Sequence, residues 1–125
     1  MTKQPEYAPN LVPKFDFLQV IDVPSIISAV RENLYSQTLC KVNDSVVRIG
    51  VIQGELHWHK HDREDEFFFV LEGTLHIDLE KDAISLGPNQ GYVIPRGIVH
   101  RTRAEERTTV LLVEADTIAP AGDPG

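Results

Sequence analysis

The sequence predicts an all-β fold, a single sandwich or barrel of roughly nine or ten short strands. Two observations carry that reading. From Gln37 onward, β-branched and aromatic runs alternate at close spacing with turn clusters such as Asn43-Asp44, Glu80-Lys81-Asp82 and Gly87-Pro88-Asn89-Gln90-Gly91. Within one such run Leu75, Ile77 and Leu79 alternate with Thr74, His76 and Asp78, the period of a half-buried strand. A chain of 125 residues has room for one core of this kind, and neither a repeat nor an interdomain linker interrupts it.

Taken in order, residues 1–14 hold Pro5, Pro9 and Pro13 and read as an extended tail. Residues 15–115 form the expected β domain. Phe15, Phe17, Leu18, Val20 and Ile21 suggest a short opening strand. Asp22 and Pro24 then mark a helix start, and Ile26, Ile27, Val30 and Leu34 recur at helical spacing, which predicts one amphipathic helix over residues 24–34. Residues 38–42 and 46–52 flank the Asn43-Asp44 turn as a hairpin. A histidine-bearing strand follows Gly54. Further strands are expected at 67–71, 75–79, 83–86, 92–94, 100–103 and 108–114. Residues 116–125 read as a loose C-terminal tail. Phe67-Phe68-Phe69-Val70-Leu71 is apolar at five consecutive positions, so both of its faces need cover. A second copy of the chain is the favoured cover, giving a homodimer; the N-terminal segment with its helix is the alternative.

Composition narrows the partners. Asp plus Glu outnumber Lys plus Arg by 19 to 12, a net charge of -7, which opposes nucleic-acid and anionic-membrane binding. No apolar run approaches the roughly 20 residues of a bilayer span, and the N-terminus has no signal-like apolar region. The lone Cys40 has no internal disulfide partner and reads as core packing, so a reducing, cytoplasmic setting is expected. No His-Glu-X-X-His, Gly-X-Ser-X-Gly or phosphate-loop pattern occurs.

The chemistry concentrates between Gly54 and Gly73. His57, His59 and His61 occupy every second position, so on a strand their imidazoles share one face while Trp58 and Lys60 face away. Asp62, Glu64, Asp65 and Glu66 follow. Imidazoles with a nearby carboxylate make a transition-metal site. Geometry lets two adjacent histidines aim at one ion more readily than three, but spacing alone chooses neither the pair nor the carboxylate. A further ligand must come from elsewhere in the chain. His100 qualifies, following the Pro95-Arg96-Gly97 turn; His76 competes, on what looks like a solvent face.

Two motifs here resemble those of the cupin superfamily. His59-Lys60-His61, four residues, Glu66, six residues and Gly73 match its first motif, and Pro95-Arg96-Gly97-Ile98-Val99-His100 matches its second. The flanking Trp-His-Lys-His-Asp and Asp-Glu-Phe-Phe text is similar to small single-domain cupins. The resemblance implies a cupin jelly roll, or double-stranded β-barrel, with a short N-terminal helix. It also implies that His59, His61, Glu66 and His100 hold a divalent transition metal, with Fe, Mn, Ni and Zn all admissible. Ala104 stands where the second motif often carries Asn, a departure that touches no implied ligand.

Around that centre His57 is a candidate proton carrier or substrate contact, set against the alternative of a hydrogen-bonded structural histidine. Tyr92 is a candidate acid or hydrogen-bond donor, set against a barrel-wall tyrosine. Arg96, Arg101, Arg103 and Arg107 either steer an anion or form a solvated face; Glu64 is an outside candidate for supporting a ligand. The functions open at this point are three. One is a metal-dependent oxygenase, isomerase or decarboxylase of a small polar or anionic molecule. The others are a non-catalytic small-molecule sensor or carrier, and a structural metal site in an oligomerisation module.

Overall fold

The computed structural model describes residues 9–123. Residues 1–8, and with them most of the predicted N-terminal tail, lie outside the described residues, as do 124 and 125. Among the described residues the fold is an all-β jelly roll with one short helix. The elements are α1 (Val23–Ile27), β1 (Leu34–Val42), β2 (Ser45–Glu55), β3 (Glu66–Glu72), β4 (Leu75–Leu79), β5 (Ala83–Leu86), β6 (Gly91–Ile94) and β7 (His100–Ala115).

All strand pairs are antiparallel, in the order β1-β2-β7-β3-β6, with β4 pairing both β7 and β5. β7 is thus shared by β2, β3 and β4. The β1–β2 hairpin turns at Asn43, as predicted, with φ of 51°, a left-handed conformation asparagine tolerates.

Side chains alternate inward and outward along each strand. Leu34, Ile52, Phe68, Val70, Ile77 and Val110 are among the residues that form the barrel interior. A second cluster, built on Ile26, Leu39 and Ile49, takes in Phe15, Ile27, Leu71 and Leu111. The N-terminal segment and α1 therefore cover part of the outer sheet face. Phe67 and Phe69, with ring centroids 6.2 Å apart, stay half-buried beyond that cover. Val93 and Val113, both register partners of Phe67, are 53% and 38% exposed.

Four expectations are corrected. The helix spans Val23–Ile27, not residues 24–34, because Leu34 is drawn into β1 opposite Ile52. The apolar spacing of Ile26 and Val30 is satisfied instead by a turn in which Val30 N–H donates to the Ile27 carbonyl at 3.0 Å. Residues 15–21 form no strand, although Phe15 N–H bonds the Leu39 carbonyl at 2.9 Å. The histidine segment is not a continuous strand. β2 ends at Glu55 after a register shift between Ile52 and Gly54, and only His59 bridges onward, to His100. Finally, the described residues hold seven strands, since 100–103 and 108–114 merge into β7.

Gly73 closes the β3–β4 turn at a φ of 90°. A Cβ there would sit 2.4 Å from Thr108 Oγ1 and 2.9 Å from the Arg107 carbonyl. The turn can approach β7 this closely only with glycine.

Candidate metal centre

Three segments converge at one end of the barrel. The irregular stretch after β2 supplies His59 and His61, the first residue of β3 supplies Glu66, and the first residue of β7 supplies His100. His59 and His100 exchange backbone hydrogen bonds at 3.0 and 2.9 Å, which docks the histidine segment on β7. Gly97 N–H donates to the His61 carbonyl at 2.7 Å and Arg96 N–H to Asp65 Oδ1 at 2.9 Å. The Pro95-Arg96-Gly97 turn is thereby tied to the same segment.

One donor atom from each of His59, His61, Glu66 and His100 lies within 4.8 Å of the other three. Metal bonds of about 2.0–2.2 Å hold any two donors at most about 4.4 Å apart, so small rotations suffice to close such a sphere. His61, Glu66 and His100 are buried and His59 is half-buried.

The imidazoles are oriented as ligands should be. A carbonyl can only accept, so His59 Nδ1–H donates to the His57 carbonyl at 2.9 Å, and His100 Nδ1–H to that of Ile98 at 2.9 Å. Each Nε2 then carries a lone pair facing the shared space. Burial, reinforced by His100 and His61, pushes the His59 pKa down to about 4 against the opposing pull of the His57 carbonyl and Glu66, so its ring is neutral at pH 7. Burial also disfavours charge on His61, but Glu66 outweighs it and raises that pKa. Burial opposes ionisation of Glu66 as well; His100, His61 and Glu114 together overcome it and hold the carboxyl well below its ordinary range.

His61 Nε2 and His100 Nε2 lie 3.5 and 3.3 Å from Glu66 Oε1. Among the described residues none of these three atoms makes a hydrogen bond, nor does His61 Nδ1. Orphaned buried polar atoms are costly and uncommon. Their gathering around a common point is what a cation site requires, and the three-nitrogen, one-oxygen donor set suits a divalent transition metal.

The remaining predicted residues fall outside this cluster. His57 is exposed, and its Nε2 meets the Ala121 carbonyl at 2.7 Å. Tyr92 sits on β6 opposite Phe68, packed against the interior. His76 is half-buried, its Nδ1 2.7 Å from Ser85 Oγ. The arginines are held by local contacts. Arg101 and Arg103 bind Asp78, Arg101 also stacks on Trp58 at 5.1 Å, Arg96 faces Asp65, and Arg107 caps the carbonyls of Val30 and Glu32.

Sequence reasoning missed two buried charges beside the centre. Glu114 on β7 stands directly across from Glu66, and Arg48 Nε lies 3.2 Å from Glu114 Oε1. Arg48 is 2% and Glu114 3% exposed. Arg48 also donates to Thr38 Oγ1 and Ser36 Oγ on β1. Burial and the facing Glu66 push the Glu114 pKa up to about 9. The two facing carboxyls thus share one proton, with Glu114 the partner pushed toward holding it. A signal existed: both residues interrupt β-branched runs at the phase of core positions.

A one-helix jelly roll with three histidines and a glutamate gathered inside one end of the barrel defines the cupin class of proteins. The family model of the cupin domain (Cupin_2) matches residues 46–115, and the chain belongs to that family. It is 44% identical over 91 residues to the uncharacterized protein YdbB of Bacillus subtilis (strain 168), covering 72% of this chain and 80% of that one. A cupin-2 domain containing protein from Shewanella frigidimarina NCIMB 400 superposes with a TM-score of 0.74 at 31% identity, covering 77% of this chain and 94% of that chain. Protein NMB1881 from Neisseria meningitidis shares the fold, with a TM-score of 0.71 at 20% identity over 78% of this chain and 99% of that one.

Proposed function

We propose that the protein is a metal-dependent enzyme acting on a small polar or anionic molecule, of the oxygenase, isomerase or decarboxylase type. The observation that carries this reading is the set of unpartnered donor atoms on His61, Glu66 and His100, completed by His59 Nε2. These four residues would hold a divalent ion. Such an ion would supply Lewis-acid polarisation of a bound oxygen, and redox chemistry if it is iron or manganese.

The chain's own residues set the surroundings. Three neutral imidazoles and one carboxylate leave the loaded site near a single positive charge, which favours an anionic ligand. The interior holds a cavity of about 50 Å³ lined mainly by apolar side chains, among them Leu34, Leu56, Phe68 and Leu112, with Thr102 as a polar contact. None of the four donor residues lines it, and its volume has room for a few waters rather than a substrate. Tyr92, packed on the interior beside Phe68, and His57, next to His59, are the candidates to move a proton or hold substrate.

The second reading is a non-catalytic binding cupin with the same site; turnover separates the two. Among the described residues no helix is long and apolar enough to cross a membrane. The uncovered outer patch of Phe67, Phe69, Val93 and Val113 supports a homodimer, which light scattering would measure.

Elemental analysis of the purified protein beside His61→Ala and Glu66→Gln tests the metal reading, each sample reconstituted with Zn, Mn, Fe and Ni. About one equivalent in the wild type and little in the variants is expected. Equal uptake by all three chains sinks the reading. A substrate screen with the metal retained then separates enzyme from binder.

A further inference from the structure

The four-ligand centre uses one nitrogen of His61 and leaves the other unexplained. His61 is 2% exposed and neither ring nitrogen has a hydrogen-bond partner among the described residues. Nε2 faces Glu66, so Nδ1, on the opposite edge of the ring, cannot serve the same ion. Glu64 and Asp123 each bring a carboxylate oxygen that lies, with a His61 ring nitrogen, within 4.8 Å of the other two. One oxygen of each carboxylate is already engaged. Glu64 Oε2 accepts from Thr117 Oγ1 at 2.9 Å, and Asp123 Oδ2 accepts from Asp62 N–H at 2.7 Å. Among the described residues the second oxygen of each accepts no other side-chain hydrogen bond.

Asp123 reaches this position because residues 119–123 lie along the histidine segment. Asp123 N–H donates to the Lys60 carbonyl at 2.9 Å, and His57 Nε2 meets the Ala121 carbonyl at 2.7 Å. Between them Gly122, with a φ of 101°, rests on His59; a Cβ there would stand 2.5 Å from the His59 Cβ. Any side chain at 122 would lift the segment off the ligand it covers.

We infer that Asp123 is a positioning residue of the metal centre, accepting the Nδ1–H of His61 so that Nε2 is held toward the ion, with Glu64 flanking as a second acceptor. A ligating histidine that donates its other N–H to a carboxylate is fixed in tautomer and rotation, and is a stronger ligand. This inference rests on the metal reading above. It makes the C-terminal segment a working part of the site.

The test uses full-length protein and Zn²⁺, with affinity measured by chelator competition for wild type, Asp123→Asn, Asp123→Glu, Glu64→Gln and His61→Ala. Asparagine keeps an acceptor for Asp62 N–H, so the metal-free Asp123→Asn chain should retain its circular dichroism and Tm. Its zinc affinity should fall roughly 10- to 100-fold, with partial recovery in Asp123→Glu and a smaller loss in Glu64→Gln. In zinc-loaded wild type the His61 Nδ1–H proton, assigned through its correlations to the His61 ring carbons, should resonate downfield and exchange slowly. It should move upfield or vanish in Asp123→Asn, which a merely structural role would not produce. Unchanged affinity with an unchanged resonance overturns the inference. So does uptake of a second zinc equivalent that Asp123→Asn alone loses, because the carboxylates would then be ligands themselves. A wild-type chain that binds no zinc removes the metal reading and this inference together.

Discussion

Glu114→Gln probes the buried Arg48–Glu114–Glu66 arrangement most directly. Glu114 has a folded pKa pushed to about 9 from an ordinary 4.5. Between those values the folded chain keeps a proton that the unfolded chain releases. The unfolded state therefore binds fewer protons, and stability falls as pH rises through the window. The slope reaches about 1.4 kcal/mol per pH unit, or about 3 kcal/mol between pH 6 and 8. Glutamine is nearly isosteric with the neutral acid; it presents a carbonyl to Arg48 and an N–H₂ to Glu66. At pH 5 the variant should lie within about 1 kcal/mol of wild type. By pH 8 it should be the more stable protein. Urea unfolding of metal-free wild type and variant at pH 5, 6, 7 and 8 measures both curves. A loss of about 3–5 kcal/mol at pH 5 would mean that Glu114 is an anion paired with Arg48, since that is the cost of breaking a buried ion pair. That result, or parallel curves for the two proteins, would refute the assignment of the proton.

Three further outcomes are expected. Zn²⁺ at about 100 times its Kd should stabilise the chain by about 2.7 kcal/mol, raising Tm by roughly 10 °C in calorimetry, with no effect on His100→Ala. Gly73→Ala should cost about 2 kcal/mol or more in urea unfolding, because its Cβ would collide with the Thr108 hydroxyl and the Arg107 carbonyl at a positive φ. Asp78 is held below its ordinary carboxylate range by Arg103 first, against burial, and by Arg101. Its contribution is present above pH ~4 and lost as pH falls further, so Asp78→Asn should lower stability at neutral pH and flatten the acid limb of the pH–stability curve.

Much of this was legible in the chain. Strand periodicity around Leu75, Ile77 and Leu79 and the Asn43-Asp44 turn announced the sheet, because both signals are local. The four residues that converge were named by the resemblance to the two cupin motifs, which carries contacts that periodicity and spacing alone cannot see. The helix was overestimated because the spacing of Ile26, Val30 and Leu34 fits a helix, yet pairing with Ile52 captures Leu34 for β1. Tertiary pairing outweighed a weak local preference. The histidine stretch misled as a strand because its pairing partner is one residue, His100. Glu114 and Arg48 were missed for a different reason. Their core phase was readable, but each faces a partner distant in sequence, and a charge at a core phase names no partner until the register is known.

β7 has a consequence for how the protein assembles. A strand rises about 3.3 Å per residue, so the stretch from His100 to Glu114 would span roughly 46 Å if straight. Yet His100 Nε2 lies 3.3 Å from Glu66 Oε1, and Glu114 is the register partner of that same glutamate. The strand must wrap the barrel and come back to its starting point. A half-wrapped sheet can pair Glu114 with Glu66 and still lack His100, so a partially folded chain offers only a fragment of the centre. Metal added during refolding should then leave collapse and early pairing untouched. Its mark should be a slower unfolding rate, because the ion fastens the last seam to close and the first to open.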